Sequence, residues 1–418
     1  MARLSRRELM LMSAATMLLP RRALAASPSS GRKFLFLFCP GGWDPAMVFA
    51  PVFNDDVDHF MLDESGTVGG ITFSDSSSRP SVRSFLEQYG SRTAMLNGIE
   101  IASVAHDVCS RLVMTGSAQG SSDDWVSTIA SRAPSSLILP NVHISGPLYP
   151  VAFPTASVRL GTQGQLSSLL DGSALSKAST PAVALPADVA ALQEAAVRDR
   201  IAAFAGRHPR GLGADIAAAE LLARDRAASL VSYLDILGGA ADNLVGALDI
   251  AAGCLEAGLS QTAMVAYGEG GNGDWDTHSV NDFQDQMFEY LFGCLETLVA
   301  RLDGAPGAEG GSLLDETVVV VLSEMGRTPK HNAAGGKDHW TWTSAMLIGG
   351  GVRGDQTVGE WSESLTGNPV DFQTGAADPK GQTIRPADLG ATLLALADID
   401  PADFIDPEDG TIIDALIE

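Results

Sequence analysis

Positive charge is what this sequence has least of. It carries 27 Lys and Arg against 51 Asp and Glu, a formal net charge of −24. Binding DNA, RNA or an anionic membrane needs a basic surface, so that balance argues against all three. Cysteine is sparse as well. Cys39, Cys109, Cys254 and Cys294 are scattered with no Cys-x-x-Cys spacing, which leaves room for one disulfide but for no disulfide framework. Cys254 and Cys294 sit in apolar helical patterns, where a thiol behaves as a small hydrophobe. There is no Gly-x-x-x-x-Gly-Lys-Ser/Thr motif, so the glycine-rich segments are not a phosphate-binding loop of that type.

What is present is a chain of 418 residues, 45% hydrophobic and 19% charged. That size and composition fit a packed globular protein of one large domain with an insertion, or of two domains. The N-terminus reads as an address. Ser5-Arg6-Arg7-Glu8-Leu9-Met10 precedes a short apolar run, Leu11 to Leu19, and then Ala23-Leu24-Ala25. The order of charged region, apolar region and small residues is that of a signal peptide over residues 1–25, and the paired arginines resemble a twin-arginine export signal. The apolar run is too short for a stable membrane span. The expectation is passage through the twin-arginine export machinery to a periplasmic or secreted location.

Apolar runs alternate with helical patterns along the remaining chain. Phe34 to Phe38, Thr93 to Leu96, Thr262 to Tyr267, Thr317 to Leu322 and Ser344 to Ile348 are apolar on both faces, and polar or glycine-rich segments follow them. Strands of this kind suit a mainly parallel sheet buried between helices, a doubly wound α/β fold, in which ligands collect at the carboxyl ends of the strands. Phe283 to Leu302 places Phe283, Met287, Leu291, Leu295, Leu298 and Leu302 on one helical face, which makes it a crossover helix between the Thr262 and Thr317 strands. The domain is expected over 31–418, with a mainly helical, alanine-rich insertion at about 150–260. Asp55 to Asp58 and Ser74 to Ser78 read as surface loops.

Three strand ends carry acids or imidazoles: Asp44; then Asp274, Asp276 and His278; then Glu324 to His339. Side chains of this type converging from separate strands would hold a divalent metal. Each also has a structural reading, Asp44 as a turn cap, Asp276 as a helix cap and His339 as a packed partner of Trp340.

The run Trp275-Asp-Thr-His278, then Glu324-Met-Gly-Arg-Thr-Pro329, Gly336-Lys-Asp-His-Trp340 and Gly349-Gly-Gly-Val-Arg-Gly354 resembles a large family of exported bacterial proteins of unknown function, related to the alkaline phosphatase and sulfatase superfamily. The resemblance runs from Phe34 to Ile417. It implies a doubly wound sheet of alkaline phosphatase-like type with a metal centre at its carboxyl edge. It implies metal ligands at Asp44, at His278 with Asp274 or Asp276, at Glu324 and at His339. Met325 stands where a further histidine often follows, which favours one ion over two; Zn, Mn, Mg and Ca all remain open.

In the superfamily a nucleophile begins the helix before a Leu-Thr-Gly-like turn. Here the turn is Met114-Thr-Gly116, and counting back reaches His106, with Ser103 and Ser110 nearby. No Cys-x-Pro-x-Arg is present, which excludes formylglycine chemistry. Two routes follow. A metal-activated water could attack, with His106 as general base or ligand and Ser110 and Arg327 as further catalytic candidates. Alternatively, the fold could bind without catalysing. Arg327 could hold an anionic substrate group or pair with an acid. The expected function is hydrolysis of a small anionic phosphate or sulfate ester; the alternatives are a non-catalytic metal- or ligand-binding protein with a protein partner, and a structural protein without metal.

Overall fold

The structure, a computed structural model, describes residues 31–134, 136–154, 157–162, 165–170, 186–239, 241–268 and 275–418. The expected signal peptide therefore lies outside the described residues, as does Asp274. Twelve strands occur among them: β1 (Lys33–Phe38), β2 (Asp63–Val68), β3 (Ile71–Ser76), β4 (Thr93–Glu100), β5 (Asn141–His143), β6 (Ser157–Arg159), β7 (Thr262–Ala266), β8 (Thr317–Leu322), β9 (Gly326–Arg327), β10 (His339–Trp340), β11 (Trp342–Gly349) and β12 (Gln356–Val358).

Eight of these form one sheet in the order β12-β4-β11-β8-β1-β7-β5-β6. The fold is mixed α/β with a mainly parallel central sheet. β1 lies at its centre, parallel to β7 and β8. Its alternating side chains explain the placement: Leu35 and Leu37 enter one apolar cluster and Phe34, Phe36 and Phe38 the other, all buried. A strand apolar on both faces is stable only with a layer on each side. Helices Pro80–Tyr89, Leu244–Glu256 and Phe283–Gly304 cover the first face; His106–Thr115, Trp125–Ser131 and Pro386–Leu396 cover the second. The sheet is doubly wound, and the Phe283–Gly304 helix makes the expected crossover from β7 to β8.

β11 departs from the parallel expectation, running antiparallel to both β4 and β8. The reason lies in the connection. Residues 323–341 contain no crossover helix, so the chain leaves β8 and re-enters β11 at the same edge, which forces the opposite direction. That return carries His339 back beside the end of β8.

Ser74 to Ser76 are also a correction. They belong to β3, paired with β2, and are buried. Two of the three have partners: Arg83 Nη2 reaches Asp75 Oδ2 at 2.5 Å, and Ser76 Oγ meets Ser78 Oγ, which donates to Asp285, whereas the buried Ser74 Oγ has no hydrogen-bond partner. In the insertion, helices Ala187–Arg207 and Leu212–Leu230 lie against each other, tied by Arg198–Asp225 and Arg224–Glu194 pairs. β6 falls within the expected insertion range yet joins the central sheet, and Leu244–Glu256 packs into its core. All four cysteines are buried and unbridged.

Candidate metal centre

The carboxyl edge gathers five segments: 39–44 after β1, 101–106 after β4, 275–278 after β7, 323–327 after β8, and His339 just before β11. Three imidazoles meet there around one carboxylate. His278 Nε2 lies 2.9 Å from His339 Nε2. Asp276 Oδ1 lies 3.0 Å from His278 Nε2 and 3.2 Å from His339 Nε2. His106 Nε2 faces the other oxygen, Asp276 Oδ2, at 3.5 Å.

The opposite ring nitrogens decide what these atoms can do. His106 Nδ1 is 2.8 Å from Glu324 Oε1, His339 Nδ1 is 2.7 Å from the Val104 carbonyl, and His278 Nδ1 is 3.2 Å from Asp338 Oδ1. Carbonyl and carboxylate oxygens only accept, so each Nδ1 must be the donor. When a ring is neutral with its proton on Nδ1, the lone pair of Nε2 faces Asp276. His278 Nε2 and His339 Nε2, 2.9 Å apart beside a carboxylate oxygen, can then both accept. Two acceptors at that distance repel unless a proton or a metal cation lies between them.

The donor set fits a metal ion. Tetrahedral donors at metal bonds of about 2.0–2.2 Å stand about 3.3–3.6 Å from one another, so the observed 2.9, 3.0 and 3.2 Å need to open only slightly to admit an ion. A histidine fixed through Nδ1 by an oxygen acceptor is also the usual arrangement of a metal-binding imidazole. His106 reaches the same place, since one donor atom each from His106, Asp276 and His339 lie within 4.8 Å of one another, and His106 Nε2 is buried with no hydrogen-bond partner. The four side chains remain partly exposed, from 21% for His339 to 43% for His278, so solvent reaches them.

Behind this cluster the other sequence candidates form its support. Glu324 is buried, accepts from the Gly41 amide at 2.7 Å and holds His106; the bond to Glu324 raises the His106 pKa above its ordinary value, against the opposing effect of burial. Arg327 is also fully buried. It donates Nε to Gly42 O at 2.9 Å, Nη1 to Lys337 O at 3.0 Å, and Nη2 to Gly41 O and to Asp276 Oδ1. Burial would raise the Asp276 pKa, but Arg327 with His339 and His106 outweighs it and holds the carboxyl below its ordinary value. Of the two readings of Arg327, the structure places it with the acid, not in the opening.

Asp44 does not join the cluster. It is buried, with Oδ1 accepting from the Ala46 amide at 3.1 Å and Oδ2 from Asn281 Nδ2 and Lys337 Nζ, both at 2.7 Å. Ser110 lies one turn beyond His106 on the same helix, and no hydrogen bond among the described residues connects it to the imidazoles. Cys109 is buried, and burial pushes its thiol up to about 11, which removes it as a nucleophile. The supporting roles of Lys337, Asp338 and the Val104 carbonyl were not read from the sequence. Only the density of polar residues between Arg327 and His339 hinted at the first two, and a backbone carbonyl leaves no side-chain signal.

A family model described as "Protein of unknown function (DUF1501)" matches residues 32–414. The chain belongs to this DUF1501 family. No curated protein matches it in sequence. Among solved structures, a 2-O GAG sulfatase is similar at 10% identity and TM-score 0.41, over 91% of this DUF1501 chain and 73% of the sulfatase. The integral membrane protein lipooligosaccharide phosphoethanolamine transferase A from Neisseria meningitidis is similar at 11% identity and TM-score 0.41, over 98% and 63%. Likeness at these scores says nothing of this DUF1501 chain's chemistry. Among the described residues no helix is long and apolar enough to cross a membrane.

Proposed function

We propose that the protein is a metal-dependent hydrolase of phosphate or sulfate esters, acting in the periplasm or outside the cell. The observation that carries this reading is the convergence of lone pairs: His278 Nε2, His339 Nε2 and Asp276 Oδ1 within 2.9–3.2 Å of one another, with every Nδ1 already held by an acceptor. Three protein ligands in a solvent-reached cluster leave a coordination position for water or substrate, as catalytic sites do and structural sites do not. A divalent ion bound there would supply Lewis acidity and a lowered pKa for its water.

The chain's own residues do the rest. Arg327 fixes Asp276, so that one oxygen faces His278 and His339 and the other faces His106. Glu324 keeps the proton of His106 on Nδ1 and leaves Nε2 able to take a proton from an attacking water. Water is favoured as nucleophile because no serine, threonine or cysteine side chain among the described residues hydrogen-bonds to the imidazoles. That same observation suits the second reading, a non-catalytic metal-binding protein, equally well.

The test is elemental analysis of protein purified without chelator, followed by a panel of phosphate and sulfate monoesters and diesters. The expected result is bound metal and turnover in the wild type, and loss of both in the His278→Ala, His339→Ala double variant with the fold retained by circular dichroism. Metal without turnover across the panel would select the binding reading; turnover unchanged in the double variant would sink the metal centre altogether.

A further inference from the structure

The acids at this edge are already paired. Asp44 Oδ2 receives Lys337 Nζ at 2.7 Å, and both side chains are buried to within 1% of full occlusion. The Lys337 ammonium makes a further 2.8 Å bond to Asp58 O. Asp44 also accepts from Asn281 and from the Ala46 amide, and its own amide donates to Gln284 Oε1 at 2.6 Å. Gln284 in turn donates to Gly42 O, Trp275 O and Thr277 Oγ1, which locks the loop after β1 to the loop that carries Asp276. Glu324 is committed in the same way, to the Gly41 amide, to Ser323 Oγ and to His106.

A buried carboxylate already matched by a buried ammonium is a poor ligand for a second ion. Recruiting it would strand the Lys337 charge in the interior, which is what makes breaking a buried pair unfavourable. What remains at the edge as ligands is Asp276, itself bonded to Arg327, with the imidazole nitrogens of His278 and His339. Such a set is rich in nitrogen and poor in anionic oxygen. Imidazole suits first-row transition ions, whereas Mg2+ and Ca2+ need several oxygen donors.

We infer that the centre takes a single first-row transition ion of the zinc type, and that Lys337 permanently fills with its own charge the place where Asp44 would otherwise hold a second cation. This rests on the metal-centre reading above and narrows its ion from four candidates to one class. The buried lysine is thus a device that fixes stoichiometry, built into the loop that delivers His339.

The test is a calorimetric titration of chelator-stripped full chain with Zn2+, Mg2+ and Ca2+ separately, on the wild type and on Asp44→Asn. The expected result is one Zn2+ per chain, bound at least about 100-fold more tightly than Mg2+ or Ca2+, with stoichiometry and affinity unchanged within about threefold in Asp44→Asn. Two ions per chain with one lost in Asp44→Asn, or Ca2+ or Mg2+ bound as tightly as Zn2+, would overturn the inference and leave the metal centre standing. Failure of every ion to bind would overturn the centre itself. One Zn2+ without ester turnover would remove the hydrolase reading and leave this one intact. Should Asp44→Asn fold poorly, the wild-type stoichiometry and ion preference alone decide the matter.

Discussion

At the scale of single residues, burial of polar groups is the dominant cost, and His143 shows it outside the metal centre. It ends β5 with no exposed surface, and its Nε2 bonds to Gly146 O at 3.0 Å. Burial, reinforced by the charge of Arg159, depresses its pKa to about 4. The folded state thus holds His143 neutral where the unfolded chain, titrating at about 6.5, would take up a proton. The stability this contributes is complete above about pH 6.5 and is lost as pH falls toward 4, to a limit of about 3 kcal/mol. Urea unfolding at pH 7.0 and 4.5 should show a smaller acid loss in His143→Gln than in the wild type, even though the variant starts less stable. An equal loss in both would mean that other groups carry the acid sensitivity. The candidate site was legible at this scale as residue types: Asp276, His278 and His339 stand out in the sequence. Which acid faces solvent was not, because a strand-end Asp44 and a loop Asp276 look alike until their partners are known.

At the scale of elements, the return loop from β8 to β11 decides the site. Asn332 pins it from within, donating Nδ2 to His278 O and to Asp338 Oδ1, both at 3.0 Å, and accepting from the amides of Ala334 and Gly336. Gly336 lies flat against the backbone of His278, where a methyl group would collide with the His278 carbonyl. Glycine at 336 therefore permits this close approach. Gly336→Ala should push the loop away from residue 278 and separate the two imidazoles. A fall in Zn2+ affinity of roughly 10- to 100-fold is expected, the range for lost supporting contacts, alongside a modest drop in Tm. Unchanged affinity would show that the His278–His339 spacing does not depend on this contact. Asn332→Ala releases the bonds to His278 O and Asp338 but keeps the glycine and its close contact with residue 278, so it should weaken the ion less.

At the scale of the molecule, the candidate centre joins segments that follow β4, β7 and β8 and the one that leads into β11, separated by up to 233 positions between His106 and His339. An ion held across that span binds only the folded chain, so it stabilises by mass action. At free Zn2+ about 100 times its dissociation constant the gain is about 2.7 kcal/mol. Adding a chelator should lower Tm in the wild type and leave the His278→Ala, His339→Ala variant unmoved. A chelator shift of equal size in both would place the ion elsewhere.

By itself the sequence determined the layers. Five apolar runs, each unable to leave either face in water, require a sheet covered on both sides, and Phe34 to Phe38 and Thr317 to Leu322 are central for that reason alone. It also determined which edge would be polar, because the candidate ligand side chains follow the strands in the chain. Tertiary structure decided the pairing. The direction of β11, the burial of Ser74 to Ser76, the ammonium of Lys337 on Asp44 and the turning of three Nε2 atoms onto Asp276 all depend on contacts between segments far apart in sequence. Hydrophobic periodicity is a local property and survives in the sequence. Which acid meets the Lys337 ammonium and which meets the imidazoles is a matter of distances of a few ångströms across the fold, and only the folded chain fixes those.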